Sequence, residues 1–248
     1  MMGDFAIGRY ERKYVISATM AEALRGFVSA YLVPDPYMDL SQPWGYQVHS
    51  LYLDSADLKL YRQTTEGNKN RYKLRIRFYD PAPDSPAFLE IKQRDGITLY
   101  KYRAKVSKPS AERLLCGGAL SAADLLARDD KSMRALDEFC GRQARLGAEG
   151  TAFVCYHREA YVLPHAEGTR VTFDRKIDGR PPNLGGGLSL PQSAATVTSH
   201  QVVLELKYMG RSPGWMRDLV RSFELERISF PKYVHAIDAL RSAPAMAG

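Results

Sequence analysis

The residues best suited to chemistry fall at alternating positions of short β-type runs. In Tyr72-Lys-Leu-Arg-Ile-Arg-Phe78, Lys73, Arg75 and Arg77 share one face of a strand, and Leu74, Ile76 and Phe78 share the other. Phe88 to Arg94 sets Glu90, Lys92 and Arg94 against Leu89 and Ile91. Tyr100 to Val106 sets Lys101, Arg103 and Lys105 against Tyr100, Tyr102, Ala104 and Val106. Val202 to Tyr208 adds Glu205 and Lys207, and the first strand adds Glu11 and Lys13. Arg158 and Arg170 contribute one basic group each, with Asp174 in phase with Arg170. A single alternating charged strand is ordinarily the solvated side of an antiparallel sheet. Such a surface carries mixed signs, because like charges directly opposed across strands destabilise a sheet. Three consecutive strands that each gather two or three bases on one face fit a sheet that holds a polyanion.

The acids narrow the choice of polyanion. Glu11, Glu90 and Glu205 lie in phase with the bases, where a nucleic-acid groove would suffer repulsion between carboxylate and phosphate. A short phosphate chain handled with a divalent ion needs both signs. Carboxylate oxygens hold Mg²⁺ or Mn²⁺, and the ion bridges phosphate oxygens. Glu11, Glu90 and Glu205 are therefore the candidate metal ligands. There is no P-loop and no Rossmann glycine fingerprint. Gly185-Gly-Gly187 reads as loop slack, and His49, His157, His165, His200 and His235 lack metal-ligand spacing. The 15 tyrosines fall mostly at core-phase positions, which favours sheet packing over base stacking.

These strands need a frame. The first is expected over Arg9 to Ile16, followed by a helix from Ala18 to about Leu32 capped by Ser17, with Leu24, Phe27, Val28 and Tyr31 as its core stripe. Further strands are expected over His49 to Asp54, Tyr72 to Tyr79, Phe88 to Gln93 and Leu99 to Val106, with a hairpin turn at Arg94-Asp-Gly. Residues 110 to 147 read as a helical insertion with Ser121 as a cap. Strands resume over Phe153 to Val162, Arg170 to Phe173 and Val202 to Tyr208, around a flexible loop from Asp178 to Ser199. Ser212-Pro213 opens a helix through about Leu225, and a last helix covers Pro231 to Leu240. The class is α+β, dominated by antiparallel strands in a single domain over 1–248.

Composition agrees. The 248 residues carry 35 basic and 28 acidic side chains, a net +7, with 45% apolar types, which excludes a disordered chain and favours an anionic partner. No apolar run approaches the roughly 20 residues that cross a bilayer. The charged start makes a cleaved secretory leader unexpected. Cys116, Cys140 and Cys155 form no disulfide framework, so a cytoplasmic location is the expectation.

Seven segments occur in a familiar order: Arg-Tyr-Glu-Arg-Lys-Tyr (9–14), Ser-Leu-Tyr-Leu-Asp (50–54), Lys-Leu-Arg-Ile-Arg (73–77), Leu-Glu-Ile-Lys (89–92), Lys-Tyr-Arg (101–103), Leu-Glu-Leu-Lys-Tyr (204–208) and Pro-Lys-Tyr (231–233). With them the chain resembles the VTC domain, the polyphosphate polymerase branch of the triphosphate tunnel metalloenzymes of the CYTH-like superfamily. The resemblance implies a closed antiparallel tunnel of about eight strands with flanking helices. It implies transfer of the terminal phosphate of ATP to a growing polyphosphate chain, with Mn²⁺ or Mg²⁺. Phosphate or pyrophosphate are further acceptors. By position it makes Lys13, Arg75, Arg77, Lys92, Lys101, Arg158, Arg170 and Lys232 phosphate ligands and Glu205 the metal ligand. Lys73 and Arg103 join the binding set through their phase. The hydrolytic branch carries Glu-x-Glu-x-Lys on the first strand; here Arg9 replaces the first glutamate. Pro231 stands where the family often has serine. A triphosphatase or a non-catalytic polyphosphate-binding module are the alternative readings. No nucleic-acid partner or direct membrane insertion is expected, and any coupling to translocation would need a separate membrane subunit.

Overall fold

The computed structural model describes residues 9–96, 98–164, 168–183, 185 and 187–243. His165, Gly186 and the side chain of Arg9 lie outside the described residues. The chain sorts into two compact units, each assembled from three stretches: Met1–Tyr46, His157–Lys176 and Thr198–Phe230 in one, Gln47–Tyr156, Ile177–Val197 and Pro231–Gly248 in the other.

The first unit is framed by β1 (Arg9–Ser17), α1 (Ala18–Ser29) and the two-residue β2 (Val33–Pro34). Ser17 caps α1 as expected, its hydroxyl accepting from the Met20 N–H. The helix stops at Ser29, three residues short of the expectation. Tyr31 thereby leaves the core stripe and instead stacks, half exposed, on Trp215. The remaining stripe, Leu24 and Val28, packs with Tyr14, Ile16, Val171, Phe173, Leu204 and Leu206 into one buried core.

The second unit holds β3 (Tyr46–Asp54), β4 (Arg71–Phe78), β5 (Pro86–Asp95) and β6 (Thr98–Ser107). A short helix, α2 (Lys59–Thr65), follows β3 and was not expected. It lacks an amphipathic period long enough to read and depends on Asp54, whose carboxylate accepts from the Leu60 and Tyr61 N–H groups. The helical insertion resolves into α3 (Lys108–Leu115), a single 3-10 turn at Ala122–Asp124 capped by Ser121, and α4 (Asp130–Leu146) capped by Asp129. Leu51, Leu74, Ile76, Phe78, Leu89 and Ile91 face Leu114, Leu136 and Phe139 in a second buried core.

Two long strands contribute residues to both units: β7 (Glu149–Val162) and β8 (Arg170–Arg180). β8 runs on into the stretch expected to be a flexible loop, and β9 (Ala195–Thr196) pairs with its end. The chain closes with β10 (Gln201–Met209), α5 (Gly214–Ser222) and α6 (Lys232–Ser242).

The strand order is β1-β10-β8-β7-β3-β4-β5-β6 in an antiparallel sheet, with β2 and β9 appended. The class is mixed α and β, as expected, but the closed barrel is corrected. The path has two ends, β1 and β6, and among the described residues no ladder joins them. Each end is protected locally. Ile228 forms a single bridge to Lys13 on the outer edge of β1, and Leu125 forms one to Val106 on β6. Short bridges of this kind blunt an edge without circular closure. No helix of the described residues is long and apolar enough to cross a membrane.

Phe153 is fully buried in the second core and meets Phe78 edge to face at 6.4 Å. Phe153→Ala should lower the unfolding free energy by about 3–5 kcal/mol in urea titration, and a loss under about 1 kcal/mol would mean that this core is not closed around the ring.

Candidate functional site

In the second unit the β4-β5-β6 meander brings the basic positions into register. Arg75 pairs with Glu90, and Glu90 with Arg103; one step along, Lys73 pairs with Lys92, and Lys92 with Lys101. Glu90 is thus the centre of a five-residue ionic cluster. Its Oε2 is 2.6 Å from Arg75 and 3.8 Å from Arg77, and its Oε1 is 3.0 Å from Lys101 and 3.2 Å from Arg103. Only 1% of Glu90 is exposed. Burial works against its charged form, but the surrounding Arg75, Arg77, Lys101 and Arg103 outweigh burial and hold its pKa well below the usual carboxylate value. Burial likewise opposes the charge on Arg75, and the pull of Glu90 with Tyr52 and Tyr156 leaves that guanidinium more firmly protonated than usual.

Neutral groups on the same face orient the arginines. Arg75 donates to the Tyr52 hydroxyl at 3.1 Å, and Arg77 donates to Ser50 Oγ at 3.1 Å and to the Tyr156 hydroxyl at 3.4 Å. Arg103 lies over the Phe88 ring at 3.8 Å. At the start of α6, the Lys232 ammonium sits 5.1 Å from the Tyr156 ring. The next residue anchors that helix. Tyr233 stacks on Tyr52 at 4.8 Å and donates to Asp54 at 2.8 Å, the same carboxylate that caps α2.

The first unit carries a second cluster around Glu205. In the β1–β10 ladder Lys13 opposes Glu205 and Glu11 opposes Lys207, a checkerboard of alternating sign. Lys13 Nζ is 3.4 Å from both Glu11 and Glu205 and donates to the Phe230 carbonyl. Lys207 meets Glu205 at 2.6 Å, and Arg158 reaches it at 3.5 Å while gripping Asp174 in a fork of 2.6 and 2.7 Å. Arg170 pairs with Asp35 at 2.9 Å and donates to the Tyr46 hydroxyl.

The residues singled out from the sequence therefore fall into two sets. Arg75, Arg77, Lys101, Arg103 and Glu90 converge in one unit, with Lys73 and Lys92 on the same ladder and Lys232 beside Tyr156. Lys13, Glu11, Glu205 and Arg158 converge in the other, and Arg170, next to Lys207 in register, is turned to Asp35. The orienting groups Ser50, Tyr52, Tyr156, Tyr233 and Asp54, and the partner Asp35, were not anticipated. Ser50 and Tyr52 lie in phase with Asp54 and opposite Arg77 and Arg75, a signal that only the β3–β4 register reveals.

A divalent ion needs converging oxygen donors. Among the described residues no group of three or more His, Cys, Asp or Glu side chains converges, so a cage made by protein alone is not present there. Mg²⁺-type ions commonly take one or two carboxylates and fill the remaining positions with water and substrate phosphate. Glu205 with Glu11 fits that pattern in donor chemistry. Glu90, wrapped by four cations and with no second carboxylate beside it among the described residues, fits the role of shared counter-ion; Glu205, itself met by Lys13, Lys207 and Arg158, differs in having Glu11 on the same lysine.

The family model for the VTC domain matches residues 8–241, nearly the whole chain. Among curated proteins none matches it.

Glu90→Gln keeps the shape and removes the charge that four basic side chains share. It should destabilise the fold by about 3–5 kcal/mol in urea titration, and an unchanged midpoint would mean the cluster does not depend on this carboxylate. A second expectation concerns pH. Burial, only partly offset by Glu90 and assisted by Arg75 and Arg103, lowers the Lys101 pKa to about 8; burial likewise lowers Lys207 to about 8 against the pull of Glu205 and Glu11. Triphosphate affinity should fall as pH rises through that value, and Lys101→Arg should move the fall to higher pH; a flat profile would contradict it. Stability takes the opposite sign. Between about 8 and the ordinary 10.5 the unfolded chain holds more protons, so these two lysines make stability rise with pH across that window.

Proposed function

As a member of the VTC domain family the chain has a polyphosphate-related role, and we propose that it is a polyphosphate polymerase that transfers the terminal phosphate of ATP to a growing chain. The observation that supports this most is the gathering of four basic side chains around the single buried carboxylate of Glu90 in one unit, beside which the other unit sets Lys13, Lys207 and Arg158 among Glu205, Glu11 and Asp174. A face built this way suits a linear string of phosphates, each bearing charge along its length.

In this reading Arg75, Arg77 and Lys101 neutralise phosphate oxygens, with Lys73, Lys92 and Arg103 extending the basic face. The arginines favour forked contacts, and Tyr52, Ser50 and Tyr156 keep their planes oriented before substrate arrives. Lys232 adds a cation at the start of α6. Lys13 and Arg158 bind phosphate beside Glu205, and Arg170 extends that set. Glu205, assisted by Glu11, would hold Mn²⁺ or Mg²⁺. The ion, when bound, supplies charge neutralisation across adjacent phosphate oxygens. No covalent enzyme intermediate is required, because positioning and electrostatic stabilisation supply most of the catalysis in phosphoryl transfer. The acceptor is phosphate, pyrophosphate or the chain end. Arg9, in place of the first glutamate of the hydrolytic pattern, removes a carboxylate that would help activate water and so favours polymer formation over hydrolysis.

Incubation with ATP and Mn²⁺ should yield polyphosphate visible on a gel. Glu205→Gln should abolish it, and Lys92→Ala should reduce it by about one to two orders of magnitude, in line with about 1.5–3 kcal/mol for a charge-assisted contact. Phosphate release without polymer would point to a triphosphatase, and binding without any product to an accessory module. If both variants match the wild type, these residues do not carry the reaction.

A further inference from the structure

The face of β1 and β10 that carries the Glu205 cluster sets bases against acids in equal number, and the first unit has a second charged surface. Tyr10 and Arg12 alternate with Glu11 and Lys13, and Tyr208 follows Lys207, so these three residues lie on the opposite face. There they line a cavity of about 320 Å³ together with Arg211, Ser212 and Arg217. Gly210, with φ +62°, turns the chain sharply out of β10 and brings Arg211 beside the strand end.

The chemistry of this cavity is one-sided. Tyr10 stacks on Tyr208 at 5.4 Å and 22°, and the Arg12 guanidinium lies 5.6 Å from the Tyr208 ring. Tyr10 remains 51% exposed. Three guanidinium groups therefore border one small space, and among the described residues no carboxylate lies within 4 Å of any of them. Elsewhere on the surface Arg62, Arg113, Arg180 and Arg221 each pair with an aspartate, whereas Arg94 and Arg128 bond only backbone carbonyls, so what sets this place apart is that three guanidinium groups border one space. A guanidinium offers five N–H donors in a fixed plane that matches phosphate oxygens in pairs, and of these Arg217 gives one to the Ser212 carbonyl, which tethers it at the rim. Three guanidinium groups around one space give it a positive potential that attracts an anion. The volume lies at the small end of the range of about 300–1,000 Å³ typical of small-molecule sites, which suits a compact ligand rather than a protein segment.

We propose that this cavity is a second anion site, taking a phosphoanion of two or more negative charges on the face of β1–β10 opposite Glu205. The proposal does not depend on the polymerase reading. Two sources share this chemistry. A nucleotide would bring phosphates to Arg12, Arg211 and Arg217 and lay its base on the open side of Tyr10, whereas an inorganic phosphate chain would use the arginines alone.

The test is calorimetric titration of the full chain at low salt with inorganic triphosphate and, separately, with ATP, without added metal. Three proteins are compared: wild type, Arg211→Gln/Arg217→Gln and Lys101→Gln. Both arginines of the double variant are exposed, so their replacement leaves the fold intact. The wild type should show two classes of site. Arg211→Gln/Arg217→Gln should weaken one class at least tenfold and leave the other, which Lys101→Gln should weaken instead. Preference of the arginine-dependent class for ATP by tenfold or more assigns the Tyr10 ring to a base, and equal affinity assigns the site to the phosphate chain. A single wild-type class that disappears in the arginine variant would support this site while counting against the polymerase reading. An arginine variant whose isotherms match the wild type overturns the proposal.

Discussion

Like charges assembled on one face of a sheet repel, and in this protein buried carboxylates make the assembly possible, Glu90 alone in one cluster and Glu205 with Asp174 in the other. Glu90 occupies the middle strand of a three-stranded meander, so Arg75 and Arg103 are its direct cross-strand neighbours and Arg77 and Lys101 its diagonal ones. No other position on those strands can reach all four. Glu205 is likewise central, between Lys13 across the ladder, Lys207 two residues on, and Arg158. A carboxylate buried among cations resists protonation, so the neutralising charge persists into acid. Around Glu90 four bases against one acid leave net positive charge that an incoming phosphoanion can satisfy, whereas around Glu205 the bases Lys13, Lys207 and Arg158 are balanced by Glu205, Glu11 and Asp174.

Arginines held in this way also need orientation, and uncharged groups supply it. Tyr52 links two levels of the second unit: its hydroxyl accepts from Arg75, and its ring stacks on Tyr233 of α6. Tyr233 in turn donates to Asp54, which accepts from the first N–H groups of α2. Two helices and the basic face therefore share one polar thread. A substitution at Asp54 would disturb the placement of Lys232 as well as the cap of α2, although Asp54 touches no basic side chain of the cluster.

The two ends of the sheet show how an antiparallel sheet can stay open without becoming sticky. Ile228 and Leu125 each contribute one bridge to an outer strand. Neither segment has strand character in its sequence, and each reaches the edge only because the preceding helix or turn returns the chain there. A circular ladder would have required β1 and β6 to be neighbours, a demand that strand length and alternation do not encode.

The alternation of charged and apolar residues on β1, β4, β5, β6 and β10 follows from sequence alone, because a strand places successive side chains on opposite faces whatever it pairs with. That local rule put Lys73, Arg75, Arg77, Glu90, Lys92, Lys101, Arg103 and Glu205 forward as one charged set and pointed to the antiparallel class, while Arg158, Arg170 and Lys232 entered as phosphate ligands only through the family resemblance. Local chemistry also dictated the Ser17 cap. The seven ordered segments pointed to the family. Tertiary structure alone decided the rest. Register made Glu90 a shared counter-ion, turned Arg170 toward Asp35, and set Ser50 and Tyr52 beside the arginines. It also ended α1 before Tyr31, created α2 from the Asp54 cap, and left the sheet open. The physical reason is that period two specifies a face but not a neighbour. Which residue lies opposite depends on turn lengths and on the packing of distant strands, and those are properties of the assembled chain.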